Sequence, residues 1–277
     1  MTKTFFVSDL HGTKDKYTRL FKLIEEHKPQ LVLLGGDLLP FRYNNFVSDY
    51  LYSSFSKLKT TLGKNYPLVL LIFGNDDPKK YVDNLHKGEQ KKLWTHINNI
   101  KVNINGYEIY GYAYCPPTPF QLKDWEKYDI SRFVDPGCVS PEEGIYTTKE
   151  DEEEKKFSTI KDDLTKLTGK DDLSKSIFLF HSPPYKTNLD RAALDNKVFE
   201  HVPLDVHVGS IAIRKFIESR QPYLTLHGHI HESTSITGSW KDKIGKTECF
   251  NAAHKGKELS IIIFDLEDIE SAERVLL

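Results

Sequence analysis

The chain has 277 residues, of which 39% are hydrophobic and 28% charged, the balance of a folded globular protein and not of a disordered one. Its 38 basic residues are offset by 40 acidic ones, so no bulk cationic field gathers nucleic acid, and any such role needs a local patch. The longest apolar run, LVLLIF ahead of Gly74, falls far short of the ~20 residues that a membrane span requires.

The sequence MTKTFFVSDLHG is predicted to enter a strand at residues 4–8, so no export signal is expected. Three widely spaced cysteines, Cys115, Cys138 and Cys249, make neither a disulfide framework nor a structural zinc motif, so a cytoplasmic location is expected. After the first loop, Tyr17, Leu20, Phe21, Leu23 and Ile24 fall near helical spacing. Two more continuous apolar runs, 31–34 and 68–73, each lead into glycine, with a helical pattern over 45–62 between them. This alternation predicts a parallel-type sheet with helices outside.

Residues 101–113 alternate around Asn105-Gly106, a hairpin signal. An insertion at about 115–175 follows, rich in proline and aromatics at first, then polar. Its acidic run KEDEEEKKF places Asp151 with Lys155 and Glu152 with Lys156 at helical pairing distance, which reads as a solvated helix face. Strands are predicted at 177–180 and 223–226 with a helix at 210–219 between them. Segments 233–237, 248–250 and 259–264 look β-like, so the second half is expected to form its own sheet. The simplest account is a two-sheet core in a single α/β domain spanning 1–277.

Five loops, each after a predicted strand, carry metal-binding side chains: SDLHG, GGD, GND, FHSPP and HGHIH. Taken singly, each is a common turn or a hydrogen-bonded core histidine. Together they matter, because in α/β sheets ligands gather beyond the carboxyl ends of the strands. Asp9 and His11 are two apart, as are His229 and His231, and extended backbone aims such pairs to one side. Oxygen and nitrogen donors of this kind suit Mn, Fe, Zn, Co or Ni and leave positions open for water. No cysteine is expected to take part.

The ordered set DLH, GGD, GND, H and GHIH, running from residue 9 to residue 231, resembles the motifs of the calcineurin-like metallophosphoesterases. The stretches GYAYCPPTPFQLKDWE, HSPPYKTNLDR and HVGSIAIRKFIESRQPYLTLHGHIHES are similar to those of the Icc-related branch. The resemblance implies two facing mixed β-sheets flanked by helices, a four-layer αββα sandwich. It also implies two divalent cations: Asp9, His11 and His231 would hold one, Asn75, His181 and His229 the other, with Asp37 bridging. Cations roughly 3.5–4 Å apart can grip a phosphate, activate a shared water and stabilise an in-line displacement. The expected substrate is a small phosphomonoester or phosphodiester, attacked by a hydroxide that the two metals share, and Asn75 can ligate through its amide oxygen while its NH2 donates to phosphate.

Many relatives place histidine directly after Gly-Asn, where this chain has Asp76. Asp76 can act as a general acid only if burial or a neighbouring anion raises its pKa, and its other reading is structural. Asp77 is expected to orient a histidine ligand from behind. Lys186, Arg191 and His254 are candidate substrate contacts, with surface ion pairing as the bland reading of Arg191 and Lys186. Phe120, Trp125 and Tyr128 are read as packing of the insertion before stacking on a base. The alternative to an enzyme is a non-catalytic scaffold, since one retromer subunit resembles this fold with a degraded metal site. All seven ligand positions here are of ligating type.

Overall fold

Apolar runs without polar alternation must be buried on both faces, and three of them open the fold: β1 (Lys3–Val7), β2 (Leu31–Gly35) and β3 (Leu68–Ile72). The computed structural model of the chain describes residues 1–41 and 45–277. Helix α1 (Lys14–His27) links β1 to β2 and buries Tyr17, Leu20 and Ile24, the stripe that helical spacing selects. Helix α2 (Tyr52–Leu62), entered through a π-helical turn at Phe46–Leu51, links β2 to β3. Helix α3 (Val82–Gln90) then leads to the short β4 (Thr95–His96). Strands β1 to β4 all run parallel.

A hairpin of β5 (Lys101–Ile104) and β6 (Tyr107–Tyr112) turns at Asn105 and Gly106, both left-handed at φ +51° and +87°. That is the turn whose twist matches the flanking strands. The insertion carries α4 (Glu152–Phe157) and α5 (Ile160–Thr168) and leads into β7 (Ser176–Phe180). A small hairpin of β8 (Val198–Phe199) and β9 (Val202–Pro203) precedes α6 (Ile211–Arg220) and β10 (Leu224–His227). The chain ends through α7 (Ser233–Thr237), β11 (Lys241–Ile244), β12 (Thr247–Asn251), β13 (Ser260–Asp265) and β14 (Asp268–Leu276).

One six-stranded sheet has the order β14-β13-β1-β2-β3-β4 and the other β11-β12-β10-β7-β6-β5. Both are mixed: β13 is antiparallel to β1, while β6, β7, β10 and β12 run parallel between antiparallel edges. The sheets face each other where β2 packs on β7 and β3 on β6. On the outside of one sheet Phe21 of α1 meets Phe55 of α2 edge to face, and against the other Phe216 of α6 meets Phe178 and Phe180. Among the described residues, no helix is long and apolar enough to cross a membrane.

Three expectations are corrected. Residues 233–237 form a helical turn, not a strand, closed by Gly238 at φ +74° donating its N–H to Thr234. The second half does not make its own sheet: β13 and β14 return to the first, and the β5–β6 hairpin joins the second. Asp151 is not an ion-pair partner of Lys155 but the cap of α4, accepting from the N–H groups of Glu153 and Glu154, while Lys155 pairs with Glu152. A carboxylate at that position gains more from the free N–H groups of the first turn than from a lysine ammonium one turn on.

Candidate metal centre

The loops at the carboxyl ends of β1, β2, β3, β7 and β10 converge between the two sheets. Asp9 and His11 follow β1, Asp37 follows β2, Asn75 follows β3, His181 follows β7, and His229 and His231 follow β10. Four of these residues hold left-handed backbone without being glycine: Asp9 at φ +56°, His11 at +44°, Asp37 at +52° and His229 at +71°. Such conformations cost on the order of 1 kcal/mol or more each and persist only where neighbours over-determine them. For the first three a ladder between the β1 and β2 loops does so: Asp9 donates its N–H to Gly36 O at 3.0 Å, His11 to Asp37 O at 2.8 Å and Gly12 to Leu38 O at 3.0 Å.

Asp9, His11, Asp37 and His231 offer ligand atoms that all lie within 4.8 Å of one another. Nε2 of His231 is 3.0 Å from Asp9 Oδ1 and 3.1 Å from His11 Nε2. The second group adjoins the first. His181 Nε2 is 3.1 Å from Asn75 Oδ1 and 3.4 Å from Asp37 Oδ2, the same oxygen that stands 3.8 Å from His11 Nε2. Nδ1 of His181 faces the Gly35 carbonyl at 2.8 Å, which leaves Nε2 to point at the cluster. The ring of His229 packs against that of His181 at 5.2 Å, and the backbone N–H of His229 donates to the Asp9 carboxylate.

The backbone closes tightly around these side chains. A Cβ at Gly74 would stand 2.3 Å from Asp37 Oδ1, one at Gly36 2.6 Å from His181 Nδ1, and one at Gly228 2.5 Å from Asp9 Oδ2. The glycines of GGD, GND and GHIH are thus demanded by close approach to the clustered groups.

Electrostatics point to a cation. Burial raises the pKa of Asp9, but the hydrogen bond and charge of His231, with His181 and His11, outweigh it and hold the carboxyl well below the usual range. Asp37 is likewise lowered against its burial by His181 and His11. Burial lowers His181, yet Asp37 and Asp9 raise it to about 10. The two buried carboxylates therefore call for positive charge at this spot, which a proton or a metal ion supplies. His229, pushed down to about 3 by burial and the neighbouring His181, is neutral, the form that ligates. Hard and borderline donors, two adjoining groups and a shared carboxylate fit a pair of divalent cations.

Asp76 is 44% exposed at its side chain and stands 3.8 Å from His11 Nδ1, with Asn75 Nδ2 donating to it at 3.1 Å. Burial and Asp37 push its pKa up to about 6. Asp77 departs from expectation: it orients no histidine, but accepts from the N–H groups of Leu38, Leu39 and Gly74 at 3.0, 2.7 and 3.0 Å. It thereby locks the GGD loop to the GND loop.

Among the described residues, Lys186, Arg191 and His254 make no hydrogen bond or ion pair with the cluster. Arg191 is committed to Asp195 and the Ala192 carbonyl, His254 to Glu258, and the Lys186 ammonium lies over the Tyr185 ring. Trp125 is buried and donates to the Asp77 carbonyl, Tyr128 bonds Glu142, and Phe120 is exposed. His227 and His207 are structural, bonded to Ser182 O with Thr225 Oγ1 and to Asp190 respectively. Sequence reasoning missed three neighbours. Ser8 donates its hydroxyl to Asp9, and Lys16 reaches the Asp9 carbonyl at 3.3 Å. The third is Cys115, which lies with His181 and His229, their ligand atoms mutually within 4.8 Å. Its signal was position and not type, since it follows β6 at the same sheet edge.

A family model described as calcineurin-like phosphoesterase matches residues 2–233. The chain is 28% identical over 252 residues to the uncharacterized protein MJ1162 of Methanocaldococcus jannaschii, covering 90% of this chain and 87% of that one. Among solved structures it is similar to TT1561 of Thermus thermophilus, with a TM-score of 0.57 at 15% identity over 99% of this chain and 98% of that one. It is also similar to a dimetal phosphatase from Danio rerio, with a TM-score of 0.51 at 9% identity over 99% and 98%. At such identities these likenesses are of fold.

Proposed function

The chain belongs to the calcineurin-like phosphoesterase family, and from that footing we propose that it hydrolyses a small phosphomonoester or phosphodiester at a dinuclear metal centre. One observation carries the reading: Asp37 Oδ2 lies between two donor groups, 3.8 Å from His11 Nε2 and 3.4 Å from His181 Nε2. A carboxylate so placed is suited to bridging one site formed with Asp9, His11 and His231 and another formed with Asn75, His181 and His229. Two divalent cations, if held there, would supply positive charge to the phosphate oxygens and lower the pKa of a water enough for it to attack near neutral pH.

The chain's own groups do the positioning. Asn75 offers its amide oxygen inward and its NH2 outward, toward Asp76, from where it can donate to a phosphate oxygen. The Asp37 carboxylate, fixed by the Asp76 N–H at 2.9 Å, keeps the two donor groups in register. Divalent charge at the cluster favours the ionised form of Asp76, so the reading favours esters whose leaving oxygen needs little protonation.

The test is a screen of metal-stripped protein, reconstituted separately with Mn, Fe, Zn, Co and Ni, against aryl phosphomonoesters, aryl phosphodiesters and cyclic phosphodiesters. Metal-dependent turnover is expected, falling at least about 100-fold in Asp37→Ala and His229→Ala. Equal turnover in the variants would refute the assignment. Two bound metals with no turnover on any ester would favour the scaffold reading.

A further inference from the structure

The geometry points to Cys115 as a thiolate donor to the cation of the His181, His229 and Asn75 group, and we propose that this makes that position selective for a thiophilic ion such as zinc, cobalt or ferrous iron over magnesium or manganese. The inference rests on the dinuclear reading above and adds a ligand that the sequence motifs do not contain.

Cys115 arrives where the other donors do. Strands β6, β7 and β10 are adjacent and parallel in one sheet, and the residues just beyond their carboxyl ends are Cys115, His181 and His229. The cysteine is fully buried and held on both sides of its backbone: its N–H donates to Trp125 O at 2.9 Å and its carbonyl accepts from Lys127 at 3.0 Å. Its sulfur has only a 3.9 Å contact with Ala113 O. Both imidazoles can turn a nitrogen to a cation: His181 spends Nδ1 on the Gly35 carbonyl and aims Nε2 at the other proposed donors, Asn75 Oδ1 and Asp37 Oδ2, while the His229 ring has no hydrogen-bond partner among the described residues.

The sulfur and the two ring nitrogens lie mutually within 4.8 Å. A cation sits about 2.3 Å from sulfur and 2.0–2.1 Å from nitrogen, and donors no more than 4.8 Å apart each need to move inward by less than ~1 Å to meet it. As the sulfur–metal bond forms, the thiol proton leaves to solvent. Soft sulfur then discriminates against hard ions that prefer oxygen alone.

The test is titration of the metal-stripped chain with cobalt(II), followed by absorption spectroscopy. A thiolate-to-cobalt charge-transfer band in the near ultraviolet is expected in the wild type and in Cys138→Ala. In Cys115→Ala it should vanish, with the visible cobalt bands retained and cobalt affinity at one site reduced at least about 10-fold. Zinc X-ray absorption of the wild type needs no variant to fold and should show a sulfur scatterer at about 2.3 Å. Cobalt bound without the band or the scatterer overturns the proposal and leaves the dinuclear centre standing. No cobalt or zinc bound at all overturns both.

Discussion

Asp37 and Gly74 are paired by space. Because a Cβ at Gly74 would stand 2.3 Å from the Asp37 carboxylate, Gly74→Ala should displace the proposed bridging oxygen while leaving every donor in the chain. Metal affinity by calorimetry is expected to fall about 10–100-fold, the range seen when a ligand's support is lost. Affinity equal to wild type would show that the GND loop yields without cost. A second residue tests burial. His96 is half-buried with its Nε2 shut away from solvent and without a partner, and this desolvation lowers its pKa to about 4. The folded state holds it neutral, while the unfolded chain takes up a proton below about 6.5. Stability should therefore be intact above pH 6.5, decline as pH falls toward 4, and level off below it. In His96→Gln that component, at most roughly 3 kcal/mol, should be missing from denaturant midpoints compared between pH 7 and 4.

Among the elements, α6 depends on the insertion for its start. Asp129 accepts from the Ser210 hydroxyl and from the N–H groups of Ile211 and Ala212, at the positive end of that helix. Replacing Asp129 with alanine should cost about 1–2 kcal/mol in urea unfolding, and an unchanged midpoint would mean that Ser210 caps α6 alone. The sequence displays the helix but not this partner, since Ser210 announces a cap while residue 129 lies on a stretch with no periodic pattern. The same division runs through the molecule. Apolar runs and the Asn105-Gly106 turn revealed strands and hairpin, because burial and left-handed backbone write themselves locally. Residues 233–237 did not, since β-branched Thr234, Ile236 and Thr237 favour a strand while Gly238 closes a helical turn. At the centre, the GGD, GND and GHIH loops were legible because a donor beside glycine at a strand end is a local mark. Cys115 was not, as only the β6–β7–β10 order brings its sulfur to two histidines.

Over the whole molecule, the arrangement hidden from sequence is which sheet each late strand joins. Runs 248–250 and 259–264 read alike, yet β12 pairs with β10 and β13 with β1, a choice made by long-range register and not by local composition. The pairing places Lys3 opposite Asp265, and that has a kinetic consequence. During synthesis β1 is made long before β13, the strand that covers its second edge in the native sheet. Until then its row of free amides and carbonyls is open to strangers. Completion of this sheet thus waits on β13, and a chain lacking Ser260–Asp265 would carry an adhesive half-built sheet.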